Sequence, residues 1–455
     1  MEPGEFFSIR FCPYQSSNAP QVFAAVSKKH AVVCKIARDP GNREVFDTNE
    51  STNCCCTWAW STETNTAYLC IGGVDGIVKI YNVITGQLVE GINDLSTSPD
   101  DPSIIASASD DTTVRIWSLD PVHKEQPCLC ILAGEGHIAE VLSASIHDTG
   151  RYAVSGGHDH RINFWVLPEF PNEPVESPIQ VHYPHFSTSA IHGGIVDCVA
   201  FYGDQILSKA NRDNIIILWE IVGFSSQDPI PSHDVAPLPQ IPQPNDYGAS
   251  QFTRSAFIPA TSPRFPLQYD RRLQFHTPRC DEYFFLRFEL YFQPGQHPIL
   301  TFCNRTGEIF FWDLERVREY GNIMNALRSP SRDMTKPIRL PSWIGRIRPR
   351  VNSKPRGASV GKGSRASSQT PEVEDRRNVY DIADLDPKDV ADWNAKYGVM
   401  DRDHALEPHY KVEVKFKKNT PFLGRQASWS PGGEWCTVAG SGNAVHMLKR
   451  WSSSA

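Results

Sequence analysis

Short apolar stretches that end in tryptophan recur along this chain and constrain its fold more than any other feature. The tags are Arg-Ile-Trp117, Asn-Phe-Trp165, Ile-Leu-Trp219, Phe-Phe-Trp312 and Leu-Lys-Arg-Trp451, and Tyr81 takes the same place in Lys-Ile-Tyr81. A repeat of roughly 40–45 residues that ends in such a tag is typical of a four-stranded blade. One blade cannot bury both faces of its own sheet, so the units must stack on one another in a closed ring.

The tags predict an all-β fold, a seven-bladed WD40 β-propeller with two long, largely irregular insertions. We assign blades one to five to residues 1–221 and blade six to 280–317. Residues 409–455 then hold the outer strand of blade six, predicted from the alternation in 412–416, and blade seven. A proline-rich insertion at 222–279 and a basic, then acidic insertion at 318–408 interrupt what is one propeller domain.

Composition narrows the protein class. The 455 residues carry a net charge of −7 and 12 cysteines without a CxxC pair, which favours reduced thiols in a nuclear or cytosolic protein. We predict neither a signal peptide nor a membrane partner, since no run of 18 apolar residues occurs. The three consecutive cysteines at 54–56 could bind a soft metal, but no second cluster or histidine accompanies them, so we predict no metal and no cofactor.

Blades four and five contain polar sets that resemble a catalytic triad. Each set holds a histidine, a serine, a turn aspartate and the tag tryptophan; the residues are His137, Ser155, Asp159, Trp165, His192, Ser208, Asp213 and Trp219. Because the same set recurs in successive repeats, we interpret it as a structural network that satisfies buried polar groups. No phosphate loop or metal motif is present, so we do not predict an enzyme.

Blade seven lacks an obvious outer strand in the sequence. The chain enters blade one at Phe6 and ends at Ala455, which leaves no fourth strand for the last blade. A propeller usually closes with a strand from the opposite terminus. We expect either natural residues that precede this sequence or a strand from a partner to complete the blade, and we favour the first.

The second insertion is divided by charge. Residues 328–365 contain eleven Lys or Arg and a single acid, Asp333, whereas 380–407 is rich in acids. A basic segment with Ser, Gly and Pro suits the phosphate backbone of a nucleic acid. Two alternatives remain open: a solvated loop without a partner, and pairing of the basic half with the acidic half.

One position of every inner strand should ring a mouth of the central channel. The position lies four residues before the large residue of the strand; it selects Phe7, Cys56, Asn93, Leu142, Asp197, Phe284 and Arg425, with Phe285 adjacent. Exposed aromatic side chains at a channel mouth suggest a ligand, and rings that face a quaternary ammonium attract it through cation–π contacts. The alternative is that these phenyl groups cap the core.

Several strings resemble one family closely. In blade five these are Val181-His-Tyr-Pro-His-Phe-Ser-Thr188, Ile191-His192, Val196-Asp-Cys-Val199 and Ile206-Leu-Ser-Lys209; Ala59-Trp60, Gly76-Ile-Val-Lys-Ile80, Glu135-Gly-His137, Glu140-Val-Leu-Ser-Ala144 and Arg425-Gln add to them. They resemble the Polycomb extra sex combs / EED family over all seven blades, excluding both insertions. The resemblance implies a noncatalytic, nuclear subunit of Polycomb repressive complex 2.

In that family the propeller binds a trimethyl-lysine of the histone H3 tail, holds the Enhancer-of-zeste methyltransferase and stimulates it; a zinc-finger Suppressor-of-zeste subunit is a further partner. Carried over by position, the methyl-lysine cage falls on Phe7, Cys56, Phe284 and Phe285, and the peptide contacts fall on Asn93, Glu140, Asp197 and Arg425.

The family has Tyr at the position of Cys56 and Trp-Tyr at 284–285, so the resemblance predicts weaker or altered methyl-lysine affinity. The competing interpretations are a pure scaffold that ignores methylation and a nucleic-acid-binding propeller that uses residues 328–365.

Overall fold

The computed structural model describes residues 4–16, 18–36, 43–47, 53–61, 64–83, 94–238, 252–259, 268–280, 283–344, 378–399, 404–416 and 420–450. Seven sheets of three to five strands follow one another along the chain, which is the predicted seven-bladed all-β propeller. Within each blade the first three strands pair antiparallel in chain order. The tag strands are mostly continuous apolar runs, and neighbouring blades bury their side chains on both faces.

The first four blades are continuous in sequence apart from added edge strands. Blade one contains Phe6–Phe11, Val22–Ser27, His30–Lys35 and Arg43–Asp47, and blade two contains Asn53–Ser61, Thr66–Gly73 and Lys79–Asn82. Blade three contains Asp94–Thr97, Ile104–Ala108, Val114–Ser118 and Cys128–Leu132, with Ile179–Val181 added parallel at its edge. Blade four contains Val141–Ile146, Tyr152–Gly157, Ile162–Val166 and Phe186–Thr188.

Blades five and six take their outer strands from residues on the far side of an insertion. Blade five contains Val196–Tyr202, Gln205–Ala210, Ile215–Ile221 and Tyr269–His276. Blade six contains Glu289–Tyr291, Ile299–Cys303, Glu308–Asp313 and Tyr410–Glu413, and blade seven contains Gly424–Trp429, Trp435–Gly440 and Ala444–Lys449. The outer strand of blade six begins two residues before the predicted segment 412–416 and ends inside it at Glu413, with Val412 opposite Ile309.

Aromatic side chains fill the contacts between neighbouring blades. Trp165, Trp219 and Trp312 are each at most 1% exposed and belong to three different clusters of buried residues. Trp219 packs with Phe186 of blade four, their ring centroids 5.7 Å apart. Each tryptophan buries a large apolar area, so the tags hold the ring together through packing between blades.

The segment 222–279 contains more regular structure than its proline content suggests. Tyr269–His276 pairs with seven residues of Ile215–Ile221 and completes blade five. Thr253–Ser255 adds a fifth strand to blade four, beside Phe186–Thr188. The boundary at 279 is therefore corrected, because the end of this segment is a strand of the propeller. The run of prolines at 239–244 lies outside the described residues.

The second insertion also departs from an irregular loop. Helix α1, Leu314–Arg328, is capped by Asp313, whose side chain accepts a hydrogen bond from the N–H group of Arg316. Helix α2 is Pro387–Tyr397, and the two-residue strands Ile338–Arg339 and Asn378–Val379 pair beside it. One buried apolar cluster belongs to this helical module and contains Tyr320, Met324, Leu327, Leu340, Ile344, Val379, Leu385, Trp393 and Tyr397.

These side chains form a small core of their own, and Ala405–Leu406 ties the module to blade five by parallel pairing with Gln274 and Phe275. Most of the basic run, 345–365, lies outside the described residues. Among the residues that are described, no helix is long and apolar enough to cross a membrane.

Candidate functional site: the mouth of the central channel

The triad-like sets form two continuous hydrogen-bonded chains, one in blade four and one in blade five. In blade four, His137 Nδ1 lies 3.0 Å from Asp159 Oδ1, and His137 Nε2 lies 2.8 Å from Ser155 Oγ. The indole N–H of Trp165 donates to the same Ser155 Oγ over 2.9 Å. In blade five the corresponding distances are 2.7, 2.8 and 3.0 Å, and the residues are His192, Asp213, Ser208 and Trp219.

These chains enclose their serine hydroxyls. Ser155 and Ser208 are fully buried, and each hydroxyl oxygen already accepts from an indole. Burial opposes ionisation of Asp159, but hydrogen bonds from His137 and from backbone N–H groups outweigh it and lower its pKa. The aspartate is thus held as an acceptor, and the chain spans the blade as a strut.

Five inner strands carry a β-bulge near their first residue. The register skips one residue between Phe6 and Ser8, Asn53 and Cys55, Val141 and Ser143, Val196 and Cys198, and Gly424 and Gln426. The bulged residues are Phe7, Cys54, Leu142, Asp197 and Arg425. A bulge re-aims one side chain out of the ladder, so these five residues define one ring, which we call the channel mouth together with Phe284 and Phe285.

Hydrogen bonds between blades fix the register of this ring. Three of these bonds follow the same pattern. The donor is the backbone N–H group two residues after a bulged residue, and the acceptor is the side chain one residue after the bulged residue of the preceding blade. The pairs are Ile9 to Gln426 Oε1 at 3.2 Å, Cys56 to Ser8 Oγ at 3.2 Å and Val199 to Ser143 Oγ at 3.1 Å. The repeated geometry makes Cys54, and not Cys56, the blade-two counterpart of Phe7.

The prediction that Cys56 forms a wall of the cage is therefore wrong. Cys56 is 2% exposed and packs in the core between blades one and two with Trp58 and Tyr81. Its Sγ lies 3.5 Å from Ser8 Oγ. The prediction counted back four residues from Trp60 as the large residue of the strand. In the structure Trp58 takes that place, because Trp58 pairs with Leu69 and Leu69 pairs with the tag residue Tyr81. The predicted position was therefore two residues too late.

The aromatic part of the mouth is open to solvent. Phe285 is 37% exposed and has a φ of 56°. A left-handed backbone at a bulky residue costs about 1–2 kcal/mol, and such strain persists where the surroundings enforce it, often at functional sites. Phe284 stacks on the ring of His158 in blade four, with centroids 5.7 Å apart and an interplanar angle of 16°.

Arg425 joins the two aromatic sides of the mouth. Its Nη1 donates to the carbonyl oxygen of Phe284 and its Nε to Glu5 Oε1. The guanidinium carbon lies 5.6 Å from the centroid of the Phe7 ring. The arginine thus holds the 284–285 segment close to Phe7, with its own charge partly neutralised by Glu5.

The other predicted peptide contacts differ in their surroundings. Asp197 is fully buried and bonds to Lys209 Nζ at 3.0 and 3.3 Å, so its prediction as a peptide contact is corrected to an internal ion pair. Glu140 is exposed at the start of blade four. Asn93 lies outside the described residues.

The sequence prediction missed a polar channel behind the mouth. A cavity of 460 Å³ is lined by inner strands of all seven blades. Inside it, Arg10 Nη1 lies 2.5 Å from Glu289 Oε2. Burial raises the pKa of Glu289, although Arg10 opposes this. The sequence does contain a signal for this channel: Arg10, Arg287 and Glu289 alternate with apolar neighbours along their strands. In the described part of the chain, no group of three or more His, Cys, Asp or Glu side chains is placed to hold a metal ion.

Comparison with known proteins adds independent evidence. The model of the WD domain, G-beta repeat, matches residues 83–118 and 127–166. The chain is 40% identical over 527 aligned positions to Polycomb protein EED of Chaetomium thermophilum, covering 98% of this chain and 91% of that protein. It is 26% identical to Polycomb protein esc of Drosophila melanogaster, over 71% of this chain and 73% of that protein.

Solved structures agree with these relatives. A chain in the crystal structure of the Chaetomium thermophilum polycomb repressive complex 2 superposes with a TM-score of 0.82 at 40% identity, over 99% of this chain and 94% of that one. A chain of ctPRC2 in complex with H3K27me3 gives the same values. Both matches cover 99% of this chain.

Proposed function

The chain belongs to the EED family of Polycomb proteins, and on that premise we propose that it is a noncatalytic, nuclear chromatin reader and scaffold. It binds trimethyl-lysine of the histone H3 tail at the channel mouth, with Phe7, Phe284 and Phe285 as the cage and Arg425 and Glu140 beside the peptide. It holds an Enhancer-of-zeste methyltransferase and stimulates that enzyme when the mark is bound. Asn93 stays a predicted contact of the same peptide.

The observation that carries the proposal is the exposed, strained Phe285. A hydrophobic core gains nothing from a phenylalanine that is 37% exposed at a φ of 56°. A quaternary ammonium does gain, because an aromatic face attracts it by roughly 2 kcal/mol when both are desolvated. The bulged Phe7 and the stacked Phe284 supply further rings at the same mouth.

The struts support a noncatalytic role. Their serine hydroxyls are enclosed and already hydrogen-bonded, so they are not available to attack a substrate. The rest of the propeller offers a rigid scaffold, since neighbouring blades share buried clusters of aromatic and aliphatic side chains. We further infer a zinc-finger Suppressor-of-zeste subunit as a partner from family membership alone.

Titration of a trimethyl-lysine H3 peptide tests the reader. We expect Phe285→Ala to weaken binding by about tenfold or more, in line with the loss of one desolvated aromatic wall. Phe292→Ala is the matched control, because Phe292 is also an exposed phenylalanine, 47% accessible and packed on Tyr202 away from the mouth. Equal affinities for wild type and Phe285→Ala would remove the mouth as the site.

A methyltransferase assay tests the scaffold and its regulation. The wild-type chain should co-purify with an Enhancer-of-zeste subunit, and the trimethyl peptide should raise the activity of the complex. Phe285→Ala should retain the complex and lose the stimulation. If the activity of the complex is the same with and without the trimethyl peptide, the chain acts as a pure scaffold.

A second candidate function rests on charge. Residues 328–365 carry eleven basic residues against one acid, which favours contact with nucleic acid phosphates. Binding to duplex DNA should weaken steeply with salt and be lost when 345–365 is deleted, while peptide binding stays intact. DNA binding that survives the deletion would contradict this role of the insertion.

A further inference from the structure

The blade-two position of the channel mouth is occupied by Cys54. Cys54 is the residue skipped between Asn53 and Cys55 in the pairing of the inner strand with Thr66–Gly73. Phe7 is skipped in the same way in blade one. The bond from the N–H group of Cys56 to Ser8 Oγ, at 3.2 Å, aligns the two strands so that Cys54 and Phe7 occupy equivalent places on neighbouring blades.

Burial separates Cys54 from the cysteines that follow it. Cys55 and Cys56 are each 2% exposed and contribute to the cores on the two sides of blade two. Cys54 is only partly buried: it packs against the edge of the core that contains Cys55, and its Sγ lies 4.0 Å from that of Cys55. Of the twelve cysteines, Cys34 and Cys54 are partly buried and the other ten are buried. The bulge therefore brings one thiol of the run to the mouth.

We propose that Cys54 is the wall of the methyl-lysine site beside Phe7 and that its small side chain limits the affinity of the site. The inference rests on the proposed reading function. A thiol offers a trimethylammonium group dispersion contacts but no aromatic face, so one side of the cage lacks cation–π attraction. The site then depends on Phe7, Phe284 and Phe285 and stays open toward blade two.

An aromatic side chain at this position should repair the weak wall. Cys54→Tyr is expected to tighten binding of the trimethyl-lysine H3 peptide by about three- to thirtyfold, the range of one added cation–π contact. Affinity for the unmethylated peptide should not rise with it. Cys34→Ala, a change at the other partly buried cysteine, is the control and should leave both affinities as in wild type.

Thiol alkylation tests the same placement without a larger side chain. Bound trimethyl-lysine peptide should slow the reaction of Cys54 with iodoacetamide in proportion to the fraction of protein that is occupied, while the rate at Cys34 is unchanged. Mass spectrometry of the digested protein reports both rates. This measurement remains decisive if Cys54→Tyr fails to fold, because it uses the wild-type chain.

The outcomes separate this inference from the function on which it rests. If the peptide binds and Phe285→Ala weakens it, yet Cys54→Tyr has no effect and Cys54 is not protected, the inference is wrong and the reader stands. If the peptide does not bind in a methylation-dependent way, the reading function itself is wrong, and the role of Cys54 in it is wrong as well. Tightening by Cys54→Tyr together with protection of Cys54 supports both.

Discussion

The struts of blades four and five and the channel mouth use similar side chains in opposite ways. In the blade-five strut, His192, Ser208 and Trp219 are fully or almost fully buried, and the imidazole nitrogens, the hydroxyl oxygen and the indole N–H group each have a partner within 3.0 Å. At the mouth, Phe285 is exposed on a strained backbone. A satisfied buried network stabilises the fold, whereas an exposed aromatic with a backbone cost needs a ligand to account for it.

The comparison implies that strut and mouth variants separate stability from binding. Removing the Trp219 side chain should lower the free energy of unfolding by about 3–5 kcal/mol, the usual cost of a large buried aromatic. Urea unfolding measures the change. The fraction that stays folded should bind the trimethyl-lysine peptide with wild-type affinity. A large loss of affinity in folded Trp219→Ala protein would break the distinction between the two regions.

Buried histidines away from the mouth should make stability depend on pH. His185 is fully buried, and burial lowers its pKa to about 4, although a hydrogen bond to the Ser232 carbonyl opposes this. In the unfolded chain the pKa is about 6.5. Between these values the unfolded state binds more protons, so lowering the pH from 6.5 to 4 reduces the unfolding free energy by up to about 3 kcal/mol.

Urea titrations at pH 7, 6 and 5 measure this dependence. The His185→Gln variant lacks the titrating ring, so its stability should fall less over the same range. Other acids and histidines contribute equally to both proteins, and the difference isolates His185. Parallel pH profiles for wild type and variant would contradict the role of burial at this residue.

The backbone of Phe285 offers the smallest stability effect and a sharper test of the comparison. Glycine adopts a positive φ without steric cost, so Phe285→Gly should be more stable than Phe285→Ala by about 1 kcal/mol. Both variants lack the ring and should lose trimethyl-lysine binding alike. Thermal unfolding and peptide titration of the pair give the two numbers. If alanine proves as stable as glycine, the backbone is not strained.

Prediction from sequence worked where one residue type repeats. It failed where the register of strand pairing decides which residue lies at the channel mouth. The tags predicted the propeller, because a tryptophan recurs at the same strand position in blades three to six; the tag residue of blade seven, Trp451, lies outside the described residues. Cys56 was misplaced because Trp58 and Trp60 both fit an inner strand, and only the pairing of Leu69 with Trp58 and Tyr81 separates them. Asp197 looked accessible because its partner, Lys209, lies twelve residues away.

The insertions show a second limit of sequence patterns. Proline content suggested an irregular loop at 222–279, but Tyr269–His276 is a full outer strand whose pairing with Ile215–Ile221 is not local in sequence. Likewise, the core of the helical module brings Tyr320 of α1 against residues of α2, and Tyr320 donates to Asn394 Oδ1 at 2.8 Å. Charge alone reported the basic and acidic halves of this insertion and not its packing.

In the proposed reading function, attraction between aromatic rings at the mouth and a positive ammonium group provides the selectivity. The most direct test compares an H3 peptide carrying trimethyl-lysine with one in which carbon replaces the ammonium nitrogen, giving a neutral tert-butyl group of the same shape. Calorimetric titration against the wild-type chain should show binding of the neutral peptide weakened by about three- to thirtyfold, the range expected for cation–π contacts. Equal affinities would show that the mouth recognises an apolar shape, and the methyl-lysine reader would be contradicted.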